Sequence, residues 1–124
     1  MKIYLAHSTN YDFKTELYLP LRNSPLNSQH DIFLPHESDT FIKTKDIIKK
    51  SDLVIAETSY PSTGEGIELG WADSFNVKIV CILKEGSNTS SSLKAISEDL
   101  IVYKNSEDLI NQLTAFLASK VIGR

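Results

Sequence analysis

The chain of 124 residues carries 13 Lys and Arg against 16 Asp and Glu, a formal net charge of -3. With 41% hydrophobic and 23% charged residues, it has the composition of one folded domain over residues 1–124, neither disordered nor built to coat nucleic acid. Its single cysteine, Cys81, cannot close an intramolecular disulfide, and no apolar run reaches the roughly 20 residues of a membrane span, so a cytoplasmic protein is expected.

Residues 2–6 alternate and are rich in β-formers, as a first strand requires. From 12 to 23, Phe13, Leu17 and Leu21 recur at spacing four, the stripe of an amphipathic helix that Pro20 kinks or shortens. Pro25, Asn27 and Ser28 read as a loop, residues 31–34 as a second strand, and Pro35 as its stop. Residues 41–50 read as a second helix with Phe41, Lys45 and Ile48 along it. The continuously apolar stretches 52–56 and 78–83 read as strands covered on both faces, the habit of a parallel sheet. Cys81, inside the second of them, reads as a small buried hydrophobe. Between these strands a loop of Pro, Ser and Gly leads into a helix at 64–75. A Ser-rich loop at 84–92, a short helix near 93–97, a strand at 100–103 and a helix at 106–118 complete the chain. Leu109, Leu113, Phe116 and Leu117 form the apolar face of that last helix.

Alternation of strand and helix about five times predicts an α/β fold, a three-layer doubly wound parallel sheet of about five strands. Ligands of such sheets bind beyond the carboxyl ends of the strands. That directs attention to residues 7–10, 35–39, 57–68 and 84–92.

The densest signal is the segment from Glu57 to Gly70, which joins a buried strand to a helix through small residues. Gly64 and Gly66 permit tight turns and leave N–H groups free for a ligand. The segment is not a dinucleotide fingerprint, because Leu69 stands where a third glycine is needed, and no Gly-Lys-Ser/Thr forms a P-loop. Ser62 and Glu65 have the spacing of an N-terminal capping box, and Gly66 with Gly70 that of a helix drawn close to a sheet. Neither account covers Glu68. One turn into the helix, its carboxylate feels the positive end of the dipole, as an oriented glycosyl-transfer nucleophile would; a solvated helix glutamate is the alternative. His7 and His36 follow the first and second strands on the ligand edge. His36 reads as a pocket wall or base contact, and without a second His at ligand spacing no metal is expected.

Together, Asp52-Leu-Val-Ile-Ala-Glu57, Pro61-Ser62-x-Gly64-x-Gly66-x-Glu68-Leu69-Gly70-x-Ala72 and Lys78-Ile-Val-Cys-Ile-Leu83, after an opening Lys2-Ile-Tyr-Leu-Ala6 and Ser8, resemble the nucleoside 2-deoxyribosyltransferase superfamily. The nearer likeness is to its small branch, the deoxynucleoside 5′-monophosphate N-glycosidases. The resemblance implies a flavodoxin-like sheet and Glu68 as the nucleophile that displaces the base from the anomeric carbon. Water or a second base then resolves the glycosyl-enzyme. It implies a nucleoside or nucleotide substrate, with Tyr4 lining the sugar or base pocket and Ser8 and Ser62 holding a 5′-phosphate. A serine of a neighbouring subunit, here within Ser90 to Ser92 with Ser91 and Ser92 as candidates, completes the site of a homodimer or higher homo-oligomer. No cofactor is expected.

The chain departs from the family at three points. Asn10, a candidate substrate contact, stands where the monophosphate branch has an arginine. Thr44 stands where close relatives have an aspartate, so the nearest carboxylate, Asp46, becomes the candidate to position the sugar or assist protonation of the base after a change of register. The tail 118–124 offers no match to the C-terminal Asn or Asp of the transferases, which favours cleavage over transfer. The rival reading is a non-catalytic nucleotide-binding or sensing module on the same fold.

Overall fold

The computed structural model describes residues 1–122. Its strands are the segments whose side chains are buried on both faces or on alternate ones. These are β1 (Lys2–Ala6), β2 (Asp31–Phe33), β3 (Leu53–Glu57), β4 (Lys78–Lys84) and β5 (Asp99–Tyr103). They form one sheet in the order β2-β1-β3-β4-β5, and each neighbouring pair is parallel. The central β3 is buried along its whole length, whereas β5, at the edge, buries and exposes residues alternately. This is the doubly wound parallel α/β sheet that the alternating pattern predicts, in the flavodoxin-like order that the resemblance implies.

Successive side chains of a strand point to opposite faces, so the sheet supplies two cores. Ile3, Leu5, Leu53, Ile55, Val80 and Ile82 pack on one face with Leu17, Leu21 of α1 (Leu19–Arg22), Leu26 of α2 (Leu26–Gln29), and Leu109, Leu113 and Leu117 of α5 (Ser106–Ile122). Tyr4, Ala6, Val54, Ala56, Ile79 and Cys81 pack on the other with Ile48 of α3 (Lys45–Lys49) and Leu69 and Ala72 of α4 (Thr63–Ser74). Cys81 is a buried free thiol, as its apolar run suggests.

Residues 12–23 do not make one α-helix, and Pro20 is the reason. It has no N–H to offer the carbonyl of Glu16. The preceding turn, Lys14–Tyr18, is wound as a π-helix in which the Leu19 N–H reaches back to the Lys14 carbonyl. The freed Glu16 carbonyl instead accepts from Ser106 Oγ at 3.2 Å, which ties α5 to this turn. Two further segments differ from expectation. The loop read at Pro25 to Ser28 contains α2, and the helix read over 41–50 is confined to α3, which buries only Ile48. Phe41 lies outside any helix and is 91% exposed. The Ser-rich stretch after β4 turns at Gly86, whose φ of +88° suits a residue without Cβ, and closes in a 3₁₀ turn, Ser91–Ala95. No helix among the described residues is long and apolar enough to cross a membrane. The last two residues of the tail considered above, Gly123 and Arg124, lie outside the described residues.

Candidate active site

The helices that follow β1 and β3 pack on opposite faces of the sheet, so the topological switch lies between the carboxyl ends of these adjacent strands. A cavity of about 700 Å³ opens there. Its wall draws His7 and Thr9 from the end of β1, Pro35 and His36 from the end of β2, and residues 38–44 from the loop that follows. Ser62, Gly64, Glu65, Ile67, Glu68 and Trp71 of the α4 segment close the opposite side, and Lys14 reaches it from the π turn.

Ser62 starts α4 as its cap, accepting the Glu65 N–H on Oγ at 3.4 Å. The helix then presents Glu65 and Glu68 on one face, three residues apart. Oε2 of Glu68 accepts two hydroxyls: Thr44 Oγ1 at 2.6 Å, and the phenol of Tyr4. Both donors are held by the fold. Tyr4 is fully buried in β1 and stacked on Phe33, with ring centroids 5.7 Å apart. Burial, and then the charge of Glu68, push its phenol far above the ordinary value of 10, so it remains a proton donor. Thr44 sits at the start of α3 but caps nothing there, its hydroxyl being given to Glu68. Both contacts fall on one carboxylate oxygen, which fixes the plane of Glu68 and leaves Oε1 for another partner.

Glu65 does not complete the capping box. Its carboxyl turns inward instead, the residue is only 4% exposed, and Oε2 is buried with no hydrogen-bond partner among the described residues. Burial first, then the charges of Glu57 and Glu68, push its pKa up to about 8. The neutral form of the carboxyl is therefore favoured. Deeper in the same region, Glu57 accepts the Ser59 N–H at 2.5 Å, Ser59 Oγ at 3.1 Å and the Tyr103 phenol.

His7 is pinned between two partners. Its Nδ1 lies 2.9 Å from the Ser8 carbonyl and its Nε2 2.6 Å from the Tyr18 hydroxyl. A carbonyl only accepts, so Nδ1 carries the proton and Nε2 accepts from Tyr18, whose oxygen takes the His36 N–H at 2.9 Å. Burial lowers the pKa of His7 to about 4, in keeping with a neutral ring.

Of the residues expected at the site, Glu68, His36, Ser62 and Gly64 line the cavity, and Tyr4 reaches it through Glu68. His36 is exposed, with its ring against His7 and Phe13. Ser8 is buried below the wall, and its Oγ accepts the Asn10 N–H at 3.0 Å. Asn10, Gly66, Ser91 and Ser92 are exposed and do not line the cavity of their own chain.

Three expectations are corrected. Asp46, expected beside the sugar, is exposed in the first turn of α3, outside the cavity wall, and it is Thr44 that contacts Glu68. Gly64 and Gly66 form no tight turn, since both lie in the α4 segment without a positive φ. Gly66 and Gly70 do not mark close packing on the sheet, because a Cβ at either would have nothing within 4 Å. Two further residues belong to the site, Glu65 and Thr44. In the sequence the first fits a capping pattern, and the second shows only as a departure from the family.

No protein-family model matches the chain. Among curated proteins, 53 residues are 38% identical to the 5-hydroxymethyl-dUMP N-hydrolase of Tetraodon nigroviridis, covering 41% of this chain and 37% of that protein. The protein of the same name from Esox lucius is 40% identical over 58 residues, covering 45% of this chain and 40% of its own length. The human one is 39% identical over 51 residues, covering 40% and 29%. The matched stretch thus spans two-fifths or less of these curated relatives. Among solved structures, the CMP N-glycosidase of Clostridium botulinum superposes with a TM-score of 0.65 at 25% identity, covering 92% of this chain and 99% of that one. In fold over nearly its whole length, and in sequence over about two-fifths of it, the chain is similar to N-glycosidases of the nucleoside 2-deoxyribosyltransferase-like family.

Proposed function

We propose that this protein is an enzyme that hydrolyses the N-glycosidic bond of a nucleoside or nucleoside 5′-monophosphate through a glycosyl-enzyme on Glu68. The observation that carries the reading is the Glu68 carboxylate at the mouth of the sheet, with Tyr4 and Thr44 both donating to Oε2. In this mechanism Oε1 attacks the anomeric carbon and the base leaves with the electron pair of the C–N bond. Water then attacks the same carbon, and the pair of the ester bond returns to Glu68. A cavity of about 700 Å³ is of the size that encloses a small organic ligand. Lys14 and Lys43 on its wall supply the cationic charge that the glycine segment and Asn10 lack, which favours a substrate with a phosphate. The similar proteins are named for cleaving nucleoside monophosphates, 5-hydroxymethyl-dUMP and CMP. A second copy of the chain, contributing Ser91 or Ser92, completes the site.

The test is a panel of nucleosides and 5′-monophosphates, with and without an acceptor base, scored by chromatography of the released or exchanged base. Wild type is expected to release base, and Glu68→Gln to lose on the order of 10³-fold or more while retaining its circular dichroism spectrum. A wild type that binds a nucleotide tightly but releases no base after prolonged incubation establishes the sensing module instead. Exchange into the acceptor base makes the protein a transferase.

A further inference from the structure

We propose that Glu65 is the acid–base partner of Glu68, protonating the departing base and then taking the proton of the attacking water. The inference rests on the glycosyl-enzyme reading and adds to it the residue that moves the proton. Glu65 and Glu68 line one cavity from one helix face. Residues three apart on a helix have Cβ atoms about 5–6 Å apart, so both side chains border the same stretch of the cavity.

The two carboxyls have opposite surroundings. Glu68 is half-buried, and its Oε2 accepts two hydroxyls. Glu65 is 4% exposed, and its buried Oε2 has no donor, which favours the acid. The titratable groups that face it are Glu57 from β3, Glu68 from its own helix, Tyr11 from the loop after β1 and Cys81 from β4. None of these is a cation, so nothing among them favours the loss of its proton. His7, the other buried titratable group on the wall, already gives its one N–H to the Ser8 carbonyl.

The steps balance. As Glu68 Oε1 bonds to the anomeric carbon, the C–N bond breaks, its electron pair passes to the base, and the Glu65 proton goes to the base. Glu68 has then become a neutral ester, and the negative charge that helped hold the Glu65 proton is gone, so Glu65 is a stronger acid at the moment of transfer. In the second half its carboxylate removes a proton from water as the water oxygen bonds to the anomeric carbon. The ester bond breaks, Glu68 is ionised again, and Glu65 is protonated again. The net change is one glycosidic bond and one water converted to free base and free sugar or sugar phosphate.

A leaving-group comparison under single-turnover conditions tests this. Base release is measured for wild type, Glu65→Gln and Glu68→Gln on the best ordinary substrate of the panel. It is measured again on a counterpart whose base leaves with less need of a proton (N7-methylguanine for a purine, 5-fluorouracil for a pyrimidine). Glu65→Gln is expected to slow the ordinary substrate by about 10²–10⁴-fold, and the counterpart by at least about tenfold less. Equal losses on both substrates, or none on either, overturn the role of Glu65 and leave the Glu68 reading standing. Wild-type rates in Glu68→Gln, or a wild type that releases neither base, overturn that reading and this inference with it. If Glu65→Gln does not fold, wild-type pH profiles decide the matter. The kcat/KM of the ordinary substrate should fall above about pH 8 and that of the counterpart should fall less; parallel profiles overturn the proposal.

Discussion

Glu68 owes its orientation to two side chains from different parts of the chain. Tyr4 is committed by its burial in β1, and Thr44 by its position where the loop from β2 enters α3. Each donates to the same oxygen, so each limits the rotation of the carboxylate and lowers the charge density of Oε2 in favour of attack by Oε1. A hydrogen bond to an ionised group contributes about 1.5–3 kcal/mol, equivalent to a rate factor of roughly 10 to 150 if it is realised in the transition state. Tyr4→Phe and Thr44→Val are therefore expected to reduce kcat by that order, with KM changing much less. Because both hydroxyls serve one oxygen, the double variant should lose less than the product of the two single losses. Steady-state kinetics of the three variants on the best substrate measures this. Losses confined to KM would show that the hydroxyls contact the substrate rather than orient Glu68.

The junction between β1 and the π turn has its own electrostatic signature. His7 is held between the Ser8 carbonyl and the Tyr18 hydroxyl, with its pKa lowered from 6.5 to about 4 by burial. Between those values the unfolded chain binds the proton and the folded chain does not, so stability must rise with pH across the window. The contribution is complete above pH 6.5 and is lost as pH falls toward 4, by about 3 kcal/mol at most at 1.36 kcal/mol per pKa unit. Urea denaturation of wild type and His7→Asn from pH 4 to 7 measures it. The variant should show a shallower dependence in this window, and identical slopes would mean that His7 is not buried neutral. The same junction shows why one helix in this region was unreadable in advance. The stripe of Phe13, Leu17 and Leu21 correctly marks a face turned to the core, but the effect of Pro20 depends on whether Ser106, 90 positions from Glu16, is there to take the freed Glu16 carbonyl. Strands were legible because β3 and β4 are buried nearly throughout and their residues say so. α4 and α5 were legible because they run for several turns. The four residues of α2 and five of α3 carry barely one turn, too little for a helical period to register. At the site, Glu68 could be singled out because no capping or packing role explains it. Glu65 could not, since Ser62-x-x-Glu65 is the spacing of a box that its side chain then declines to close. Thr44 is a matter of where a loop runs, which no local pattern encodes.

The cavity lies between the loop of residues 38–44 and the α4 segment. Its rim carries Phe41, 91% exposed, and Ile67, 51% exposed and next to Glu68 in sequence, apolar surface that a monomer leaves in water. Ser91 and Ser92 are exposed in the 3₁₀ turn after β4 and do not line the cavity of their own chain. In the shared-site reading a twofold partner covers that rim and inserts its serine turn, and symmetry makes the exchange reciprocal. Complementation tests this directly. Glu68→Gln subunits lack the nucleophile but have intact serines, and Ser91→Ala/Ser92→Ala subunits have the reverse. When the two are refolded together in equal amounts, half of the dimers are mixed and each holds one intact site of two, so activity should recover to about a quarter of wild type. Sedimentation should show a dimer throughout. A mixture no more active than its components, or a monomer at working concentration, would confine each site to a single chain. Phe41 and Ile67 would then have to be explained as a closing lid, whose burial on nucleotide binding could be followed by hydrogen exchange of residues 38–44.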